Sequence, residues 1–218
     1  MKDLALDHIL FVVQDIDKWN DDFFTLTGVQ PIIGGIHPSY GTINSLVSIG
    51  NNQYLEFISY ENDKNHEGGI LGPYPILKTF FLGWCVRSSK LESSVDLLRH
   101  QEFEFTPIMS GCRITPEMNE VSWTYTFSHK YSGLRSFPFL IEWRSSHPSA
   151  GLDKGLGLES FTIKTLESEV VQKIVTKIDF PISIIKHDSF NMELVLNSEN
   201  GKRFILKDNG IFLLDVKN

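Results

Sequence analysis

The stretch Leu6-Asp7-His8-Ile9-Leu10-Phe11-Val12-Val13 decides the fold, because it is the first of three segments that open alike. It is a short, mostly apolar run with β-branched residues, which predicts a buried strand. Similar runs begin at Leu82 and Leu158. The repeat places Trp84 and Ser160 at positions equivalent to His8, at an interval of 76 residues. A period of this length is too long for a solenoid and indicates a small module used three times.

A helical pattern and then short strand patterns follow each of the three opening strands. The helices are predicted to begin near Asp15, Lys90 and Leu166. The order of strand, helix and three strands predicts an α+β fold of repeated βαβββ modules. The modules are predicted to span residues 1–60, 76–146 and 156–218, with a polar linker at 61–75.

The composition is typical of a globular protein and argues against several classes of function. The 218 residues carry a net charge of -7, which is unlike a nucleic-acid surface because phosphate binding needs clustered Lys and Arg. No signal peptide and no apolar run of roughly 18 residues is recognised, so we expect a cytoplasmic protein without a membrane partner. Cys85 and Cys112 are too few for a disulfide framework or a thiolate zinc site. No nucleotide-binding motif is present, and no nucleotide cofactor is expected.

Three residues that can bind a metal lie in apolar strands of the first two modules. His8 is in the opening strand, Glu56 is in the last strand of module one, and Glu142 has the matching place in module two. A buried carboxylate needs compensation, which a divalent cation held with an imidazole can provide. Taken singly, His8 could be a hydrogen-bonded core residue, Glu56 could face solvent, and Glu142 could pair with Arg144. Their matching positions favour a clustered site.

Two histidines share a local string that has two interpretations. His37 and His147 each begin His-Pro-Ser with a glycine close behind. The string is typical of a turn, in which Pro fixes φ and Ser bonds the backbone. Alternatively, both histidines line the mouth of the site as catalytic acid–base groups. Further candidates for the substrate pocket are Asn44, Arg113, Trp123 and Arg144, and an arginine there could hold a carboxylate.

The opening strand, followed by Asp15, Phe23-Phe24 and Gly28, resembles the start of vicinal-oxygen-chelate proteins. That superfamily includes glyoxalase I, extradiol dioxygenases and fosfomycin-resistance proteins. The string Gly34-Gly35-Ile36-His37-Pro38-Ser39-Tyr40-Gly41-Thr42-Ile43-Asn44, with Tyr54-Leu55-Glu56, is most similar to the glyoxalase-like domain proteins of bacteria. The resemblance covers about residues 4–146 well and the third module weakly. It implies two paired βαβββ modules that curl into a cup around a metal.

The resemblance also implies a ligand set, because ligands in that superfamily come from the first and last strands of each paired module. His8, Glu56 and Glu142 are the implied ligands of a divalent metal, with Mn, Fe, Zn or Ni as candidates. Trp84 stands where many relatives carry a second His and is expected to line the substrate pocket. Similarity to glyoxalase I implies Glu142 as the catalytic base.

Two functions follow as expectations. The first is a metal-dependent lyase, isomerase or dioxygenase that acts on a small oxygenated substrate through His8, Glu56 and Glu142. The second is a metal-free cup that binds or sequesters a small molecule, favoured by Trp84 because an indole fills the volume of a metal and its water. The enzyme hypothesis fails if Glu142 pairs with Arg144 and points away. The third module would cover the cup or pair with its counterpart in a homodimer.

Overall fold

The computed structural model of the chain describes residues 4–61, 71, 76–128 and 135–214, and most of the predicted linker lies outside them. The first two modules have the predicted order of elements. Module one contains β1 (Ala5–Val12), α1 (Ile16–Thr27), β2 (Ile32–His37), β3 (Thr42–Gly50) and β4 (Gln53–Tyr60). Module two contains β5 (Phe80–Arg87), α2 (Leu91–Arg99), β6 (Met109–Ile114), β7 (Glu120–Thr126) and β8 (Phe139–Trp143).

The helix α1 begins and ends where the sequence indicates. The side chain of Asp15 accepts a hydrogen bond from the backbone N–H of Lys18 at 3.0 Å, which caps the first turn. Gly28 adopts a left-handed φ of 78°, and its N–H donates to the carbonyl of Phe24, which closes the last turn. Within the described ranges, no helix has the length and apolar character needed to cross a membrane.

The two modules form one closed barrel of eight strands. The strand order is β1-β4-β3-β2-β6-β7-β8-β5, so each module contributes four neighbouring strands. In each module the first strand pairs in parallel with the last, β1 with β4 and β5 with β8. The halves join through the antiparallel pair β1–β5 and through β2–β6, where Ile36 lies opposite Ile114. Alternate side chains of every strand therefore point into one shared interior.

The third module has a different strand order. It contains β9 (Leu156–Thr165), α3 (Ser168–Val175), β10 (Ile182–Lys186), β11 (Asn191–Ser198), β12 (Arg203–Lys207) and β13 (Gly210–Leu214). Its sheet runs β10-β9-β11-β12-β13, and β9 pairs in parallel with the strand that directly follows its helix. The module thus begins with strand, helix and strand, as predicted, but does not repeat the connectivity of the barrel halves.

The third module packs against the outside of the barrel and shares its core. Leu4 bridges to Ile178, and the backbone N–H of Phe81 donates to the carboxylate of Asp208 at 2.9 Å. The ring of Trp84 contacts Phe161 of β9, with centroids 5.7 Å apart. All described residues that line the interior cavity belong to the first two modules, and the described part of the third module packs against the outside of the barrel wall.

This packing corrects the placement of Trp84, which was predicted to line the substrate pocket. Trp84 pairs with Ile9, and its side chain points out of the barrel toward the third module, which buries it fully. Its indole N–H donates to the carbonyl of Ser136 at 3.3 Å. An indole in the place of a metal is therefore not found. Trp84 is a core residue between barrel and third module.

We expect Trp84→Ala to lower the free energy of unfolding by about 3–5 kcal/mol, because it leaves a cavity at this buried junction. The measurement is urea unfolding followed by circular dichroism. Leu97→Ala is the matched control, since Leu97 is 61% exposed on α2 and its truncation should change stability by less than about 0.5 kcal/mol. Equal effects of the two variants would contradict the packing described.

Candidate functional site

The barrel encloses a partly open cavity of about 60 Å³ that has two chemically different walls. One wall is polar and comes from β1 to β4 together with β6: His8, His37, Thr42, Asn44, Glu56 and Arg113. The other is aromatic and comes mainly from β7 and β8: Trp123, Tyr125, Phe127, Phe139 and Trp143. Predicted site residues from several strands therefore meet in one place, although they are far apart in sequence.

Glu56 lies at the centre of the polar wall. Its Oε2 is 3.5 Å from His8 Nε2, and its Oε1 is 3.9 Å from His37 Nε2. Asn44 donates its side-chain N–H to Glu56 Oε1 at 2.8 Å. Glu56 is only 6% exposed, so these neighbours replace most of the water that would otherwise solvate its carboxylate.

His37 faces Glu56 with one ring nitrogen and is fixed by the other. Its Nδ1 lies 3.0 Å from the hydroxyl of Thr42. Burial lowers the pKa of His37, although the nearby carboxylate of Glu56 acts in the opposite direction. A lowered pKa favours the neutral imidazole, which is the form that binds metals and accepts protons. The backbone of His37 also forms the predicted turn, because its carbonyl accepts from Tyr40 and Gly41.

His8 is fixed by a buried carboxylate that the sequence pattern does not single out. The pairing of β1 with β5 shifts by one residue between Leu6 and His8, which makes Asp7 the extra residue of a β-bulge. Its side chain is therefore free to turn toward its neighbour, and Asp7 Oδ1 lies 2.6 Å from His8 Nδ1. With Nδ1 held in this way, His8 presents Nε2 to Glu56.

Asp7 collects several donors besides His8. Its Oδ2 accepts from the indole of Trp143 at 3.2 Å and lies 2.9 Å from His147 Nε2, with Arg87 at 3.6 Å. Burial alone would raise the pKa of Asp7, but the hydrogen bonds from His147 and His8 outweigh it and lower the pKa well below its usual range. Asp7 is thus a buried anion that orients His8 and Trp143 in the cavity and His147 outside it.

His147 was predicted to be a catalytic residue at the mouth of the site, but the structure places it beside Asp7 as a structural hydrogen-bonding partner. Its Nδ1 accepts from the backbone N–H of Ser149, so Nε2 carries the proton donated to Asp7. Both ring nitrogens are occupied, and His147 is not among the described residues that line the cavity. Pro148 opens a short 3-10 turn, as the His-Pro-Ser string indicates.

The structure also corrects the placement of Glu142 and Arg144. Glu142 points away from the cavity, where its Oε2 accepts from the backbone N–H of Leu91 at 2.9 Å and its Oε1 accepts from Arg144 at 3.0 Å. The carboxylate caps the first turn of α2, a position that also suits its charge. Arg144 is half-exposed and likewise lies outside the cavity. The predictions that Glu142 is a metal ligand and the catalytic base are therefore wrong. The enzyme hypothesis fails in the form that relies on Glu142.

The strand pairing in module two shows which of its residues are equivalent to His8 and Glu56 of module one. His8 lies opposite Tyr54 and Cys85 lies opposite Phe139, so Cys85 is the counterpart of His8. Glu56 lies two residues after Tyr54 and Ile141 lies two residues after Phe139, so Ile141 is the counterpart of Glu56. The predicted positions in module two were one residue away, and one residue along a strand reverses the side chain to the other face.

Cys85 is part of a second group of potential ligands. Atoms of Asp7, His8 and Cys85 lie within 4.8 Å of one another, and all three residues are buried. Burial raises the pKa of the Cys85 thiol well above its usual range, which opposes formation of the thiolate that would bind a metal. The hydrogen bonds that Asp7 accepts also occupy its oxygens. The group therefore has the spacing of a metal site, but its thiol and carboxylate are not in a state that favours a metal.

Arg113 and Trp123, both predicted pocket residues, enter the cavity next to glycines. The guanidinium of Arg113 donates to the side-chain carbonyl oxygen of Asn44 at 3.2 Å. A Cβ atom on Gly34 would lie 1.9 Å from Arg113 Nη1, and one on Gly111 would lie 2.6 Å from Trp123 Nε1. Both glycines are required by the space that these side chains fill.

The rim of the cavity is closed on one side by a contact between the two halves. The hydroxyl of Tyr40, in the turn between β2 and β3, contacts the hydroxyl of Tyr125 on β7. Both residues line the cavity, and neither was predicted from the sequence. Strand alternation could have indicated Tyr125, which lies two residues after Trp123 and therefore shares its face.

The family assignment agrees with this geometry. The model of the glyoxalase-like domain family matches residues 6–178, which include the barrel apart from the first residue of β1. A hypothetical protein from Staphylococcus aureus is similar over 99% of this chain and 92% of its own, with a TM-score of 0.65 and 21% identity. A methylmalonyl-CoA epimerase from Mycobacterium tuberculosis has a TM-score of 0.47 and 14% identity over 64% of this chain and 86% of its own. No curated protein matches the chain in sequence. The likeness to the Staphylococcus aureus protein shows a shared fold alone.

We expect Asp7→Asn to lower the free energy of unfolding at pH 7 by about 3 kcal/mol, because it breaks a buried, charge-assisted network. The lowered pKa of Asp7 stabilises the fold above the unfolded value of about 4, and this stabilisation is lost as pH falls further. The difference between wild type and variant should therefore persist down to about pH 4 and shrink below it. Urea unfolding between pH 3 and 7 tests this, with the exposed Asp96→Asn as control.

We expect Glu142→Ala to lower the free energy of unfolding by about 1 kcal/mol, because α2 loses its cap. Glu117→Ala, which removes an exposed carboxylate in the turn between β6 and β7, should change it by less than about 0.5 kcal/mol. The measurement is thermal unfolding of the three proteins. A loss of bound ligand or metal in Glu142→Ala would contradict its position outside the cavity.

Proposed function

Because the chain belongs to the glyoxalase-like domain family of the vicinal-oxygen-chelate superfamily, we propose that its barrel is an active site for a small oxygenated substrate. In this proposal His8, His37 and Glu56 hold a divalent cation. The observation that carries it is that Nε2 of both histidines faces the same buried carboxylate across the cavity, at 3.5 and 3.9 Å. Two imidazoles and one carboxylate with open positions are the ligand set of many catalytic transition-metal sites.

The surroundings of these donors support a metal site. Each imidazole has its second nitrogen held by a buried partner, Asp7 for His8 and Thr42 for His37. Such outer partners fix the orientation of metal-binding histidines and strengthen them as ligands. The Nε2 atoms of His8 and His37 approach different oxygens of Glu56, so each carboxylate oxygen has an imidazole beside it. Among the described residues, only Asp7, His8 and Cys85 bring one ligand atom each within 4.8 Å of one another, so a cation held by His8, His37 and Glu56 would draw these side chains closer. Mn, Fe, Zn and Ni all suit this mixed set.

The chemistry of the proposed site follows from the two walls. A bound cation would polarise substrate oxygens and stabilise negative charge that develops on them. Glu56 is the cavity carboxylate placed to accept a proton, and Asn44 holds one of its oxygens by a 2.8 Å hydrogen bond. The aromatic wall excludes water and binds the apolar part of the substrate. Isomerase or lyase reactions that remove a proton beside an oxygen-bearing carbon fit these groups.

A second candidate is a metal-free binding cup. The aromatic wall favours it, because Trp123, Trp143 and Phe139 can stack on a flat ligand without any chemistry. The hydrogen bond from Asn44 also compensates one carboxylate oxygen of Glu56 for the loss of water without a cation. The two candidates differ in whether metal is bound and in whether His8 and Glu56 are needed for it.

We expect the untagged protein to carry close to one equivalent of a transition metal, measured by inductively coupled plasma mass spectrometry. His8→Ala and Glu56→Gln should each lose it, because each removes one of three ligands. Metal added to chelator-stripped wild type at about 100 times its dissociation constant should stabilise it by roughly 2.7 kcal/mol in thermal unfolding.

Glu142→Gln is the matched control for this experiment, since it alters a carboxylate outside the cavity and should keep the metal. Absence of metal, together with no stabilisation by Mn²⁺, Fe²⁺, Ni²⁺ or Zn²⁺, would favour the metal-free cup. Metal that survives in both His8→Ala and Glu56→Gln would place it elsewhere.

A further inference from the structure

We infer that Arg113 anchors a carboxylate group of the ligand, so that the cavity takes a small carboxylate with a flat apolar body. The inference rests on the proposed function only in placing the substrate in this cavity. It does not depend on a bound cation.

Arg113 is a buried cation without a described partner of opposite charge. The residue is only 6% exposed, and Asn44 Oδ1 is its sole hydrogen-bond partner among the described residues. No described carboxylate forms an ion pair with it, because Asn44 stands between Arg113 and Glu56. A guanidinium has five N–H donors and a charge that is costly to bury alone. A ligand that carries a negative charge would complete this arrangement.

The barrel wall is shaped around the Arg113 side chain. Gly34 needs no left-handed backbone, so its missing Cβ matters only for space. A Cβ there would lie 1.9 Å from Arg113 Nη1 and 2.5 Å from Asn44 Oδ1. Asn44 in turn is held by Glu56, which fixes the direction from which it accepts. The guanidinium is thus positioned before any ligand binds, which reduces the entropy cost of binding.

The two walls of the cavity together indicate the class of ligand. Arginine presents a planar fork that matches a carboxylate with two parallel hydrogen bonds. The opposite wall consists of flat rings, and the indoles of Trp123 and Trp143 lie 5.5 Å apart in an edge-to-face arrangement. The enclosed part of the cavity, about 60 Å³, suits the carboxylate group, and the flat body of the ligand would lie against the aromatic wall where the cavity is open. A carboxylate joined to a flat ring meets both walls at once.

The test compares benzoate with benzamide, which share the ring and differ in charge. Isothermal titration calorimetry is carried out on the protein as purified and again after chelator treatment. We expect wild type to bind benzoate at least about tenfold more tightly than benzamide, the gain expected from a charge-assisted pair. Equal affinities, or competition by inorganic phosphate as strong as that of benzoate, would overturn the carboxylate assignment.

Variants then locate the preference. Arg113→Gln should bring the affinities for benzoate and benzamide within about twofold of each other, because it removes the charge that distinguishes them. Gly34→Ala keeps every charge but displaces the guanidinium, and it should lose the preference as well. Arg144→Gln is the control, since it removes a cation outside the cavity and should keep the preference. Retention of the tenfold ratio in Arg113→Gln would overturn the inference.

Two further readouts distinguish a ligand-binding role of Arg113 from a role in folding or in metal binding. Because its charge has no described ionic partner, Arg113→Gln should melt within about 3 °C of wild type, and a larger fall would assign Arg113 to the fold instead. Metal content is measured in the same samples. If the protein prefers benzoate to benzamide but contains no metal, the proposed cation is refuted and this inference is supported. If it contains metal but shows no preference for benzoate, the cation is supported and this inference is overturned.

Discussion

The buried carboxylate of Asp7 is the interaction on which the cavity depends. A fully buried anion is tolerated only because His8, His147 and Trp143 donate to it. Each of these donors is oriented in return, so one β-bulge sets both the tautomer of His8 and the plane of an indole in the aromatic wall. The bulge provides this at little cost to the sheet, because pairing between β1 and β5 resumes at the next residue.

The site residues of module one could be predicted from the sequence, whereas those predicted from the first and last strands of module two were one residue out of register. His8, Glu56, Asn44 and Arg113 all meet in the cavity, since alternation along a strand is reliable once one inward residue is known. The second half was aligned with the first at an interval of 76 residues, whereas the strand pairing makes Cys85, one residue further along, the counterpart of His8. That error of one residue exchanged Cys85 for its neighbour Trp84, and a residue of the wrong face was assigned to the site.

Long-range effects were likewise beyond the sequence pattern. The carboxylate of Glu142 looked equivalent to that of Glu56 because both lie in apolar strands. What distinguishes them is the strand register: Ile141 is the counterpart of Glu56, so Glu142 faces the other side of the sheet, where it accepts from the first N–H of α2. The His-Pro-Ser strings show the same limit. Both form the predicted turn, but only His37 lines the cavity, because it is the last residue of strand β2, whereas His147 lies beyond β8 and contacts Asp7.

The two halves of the barrel have the same topology but divide the chemistry between them. In module two, Cys85 and Ile141 replace the imidazole and carboxylate of module one, which removes polar groups from that side. Aromatic side chains fill the space instead, and Gly111 lets Trp123 approach the neighbouring strand. A symmetric barrel would surround a ligand with like groups. This one opposes a polar wall to an apolar wall, and so it favours a ligand with a charged end and a flat end in a single orientation.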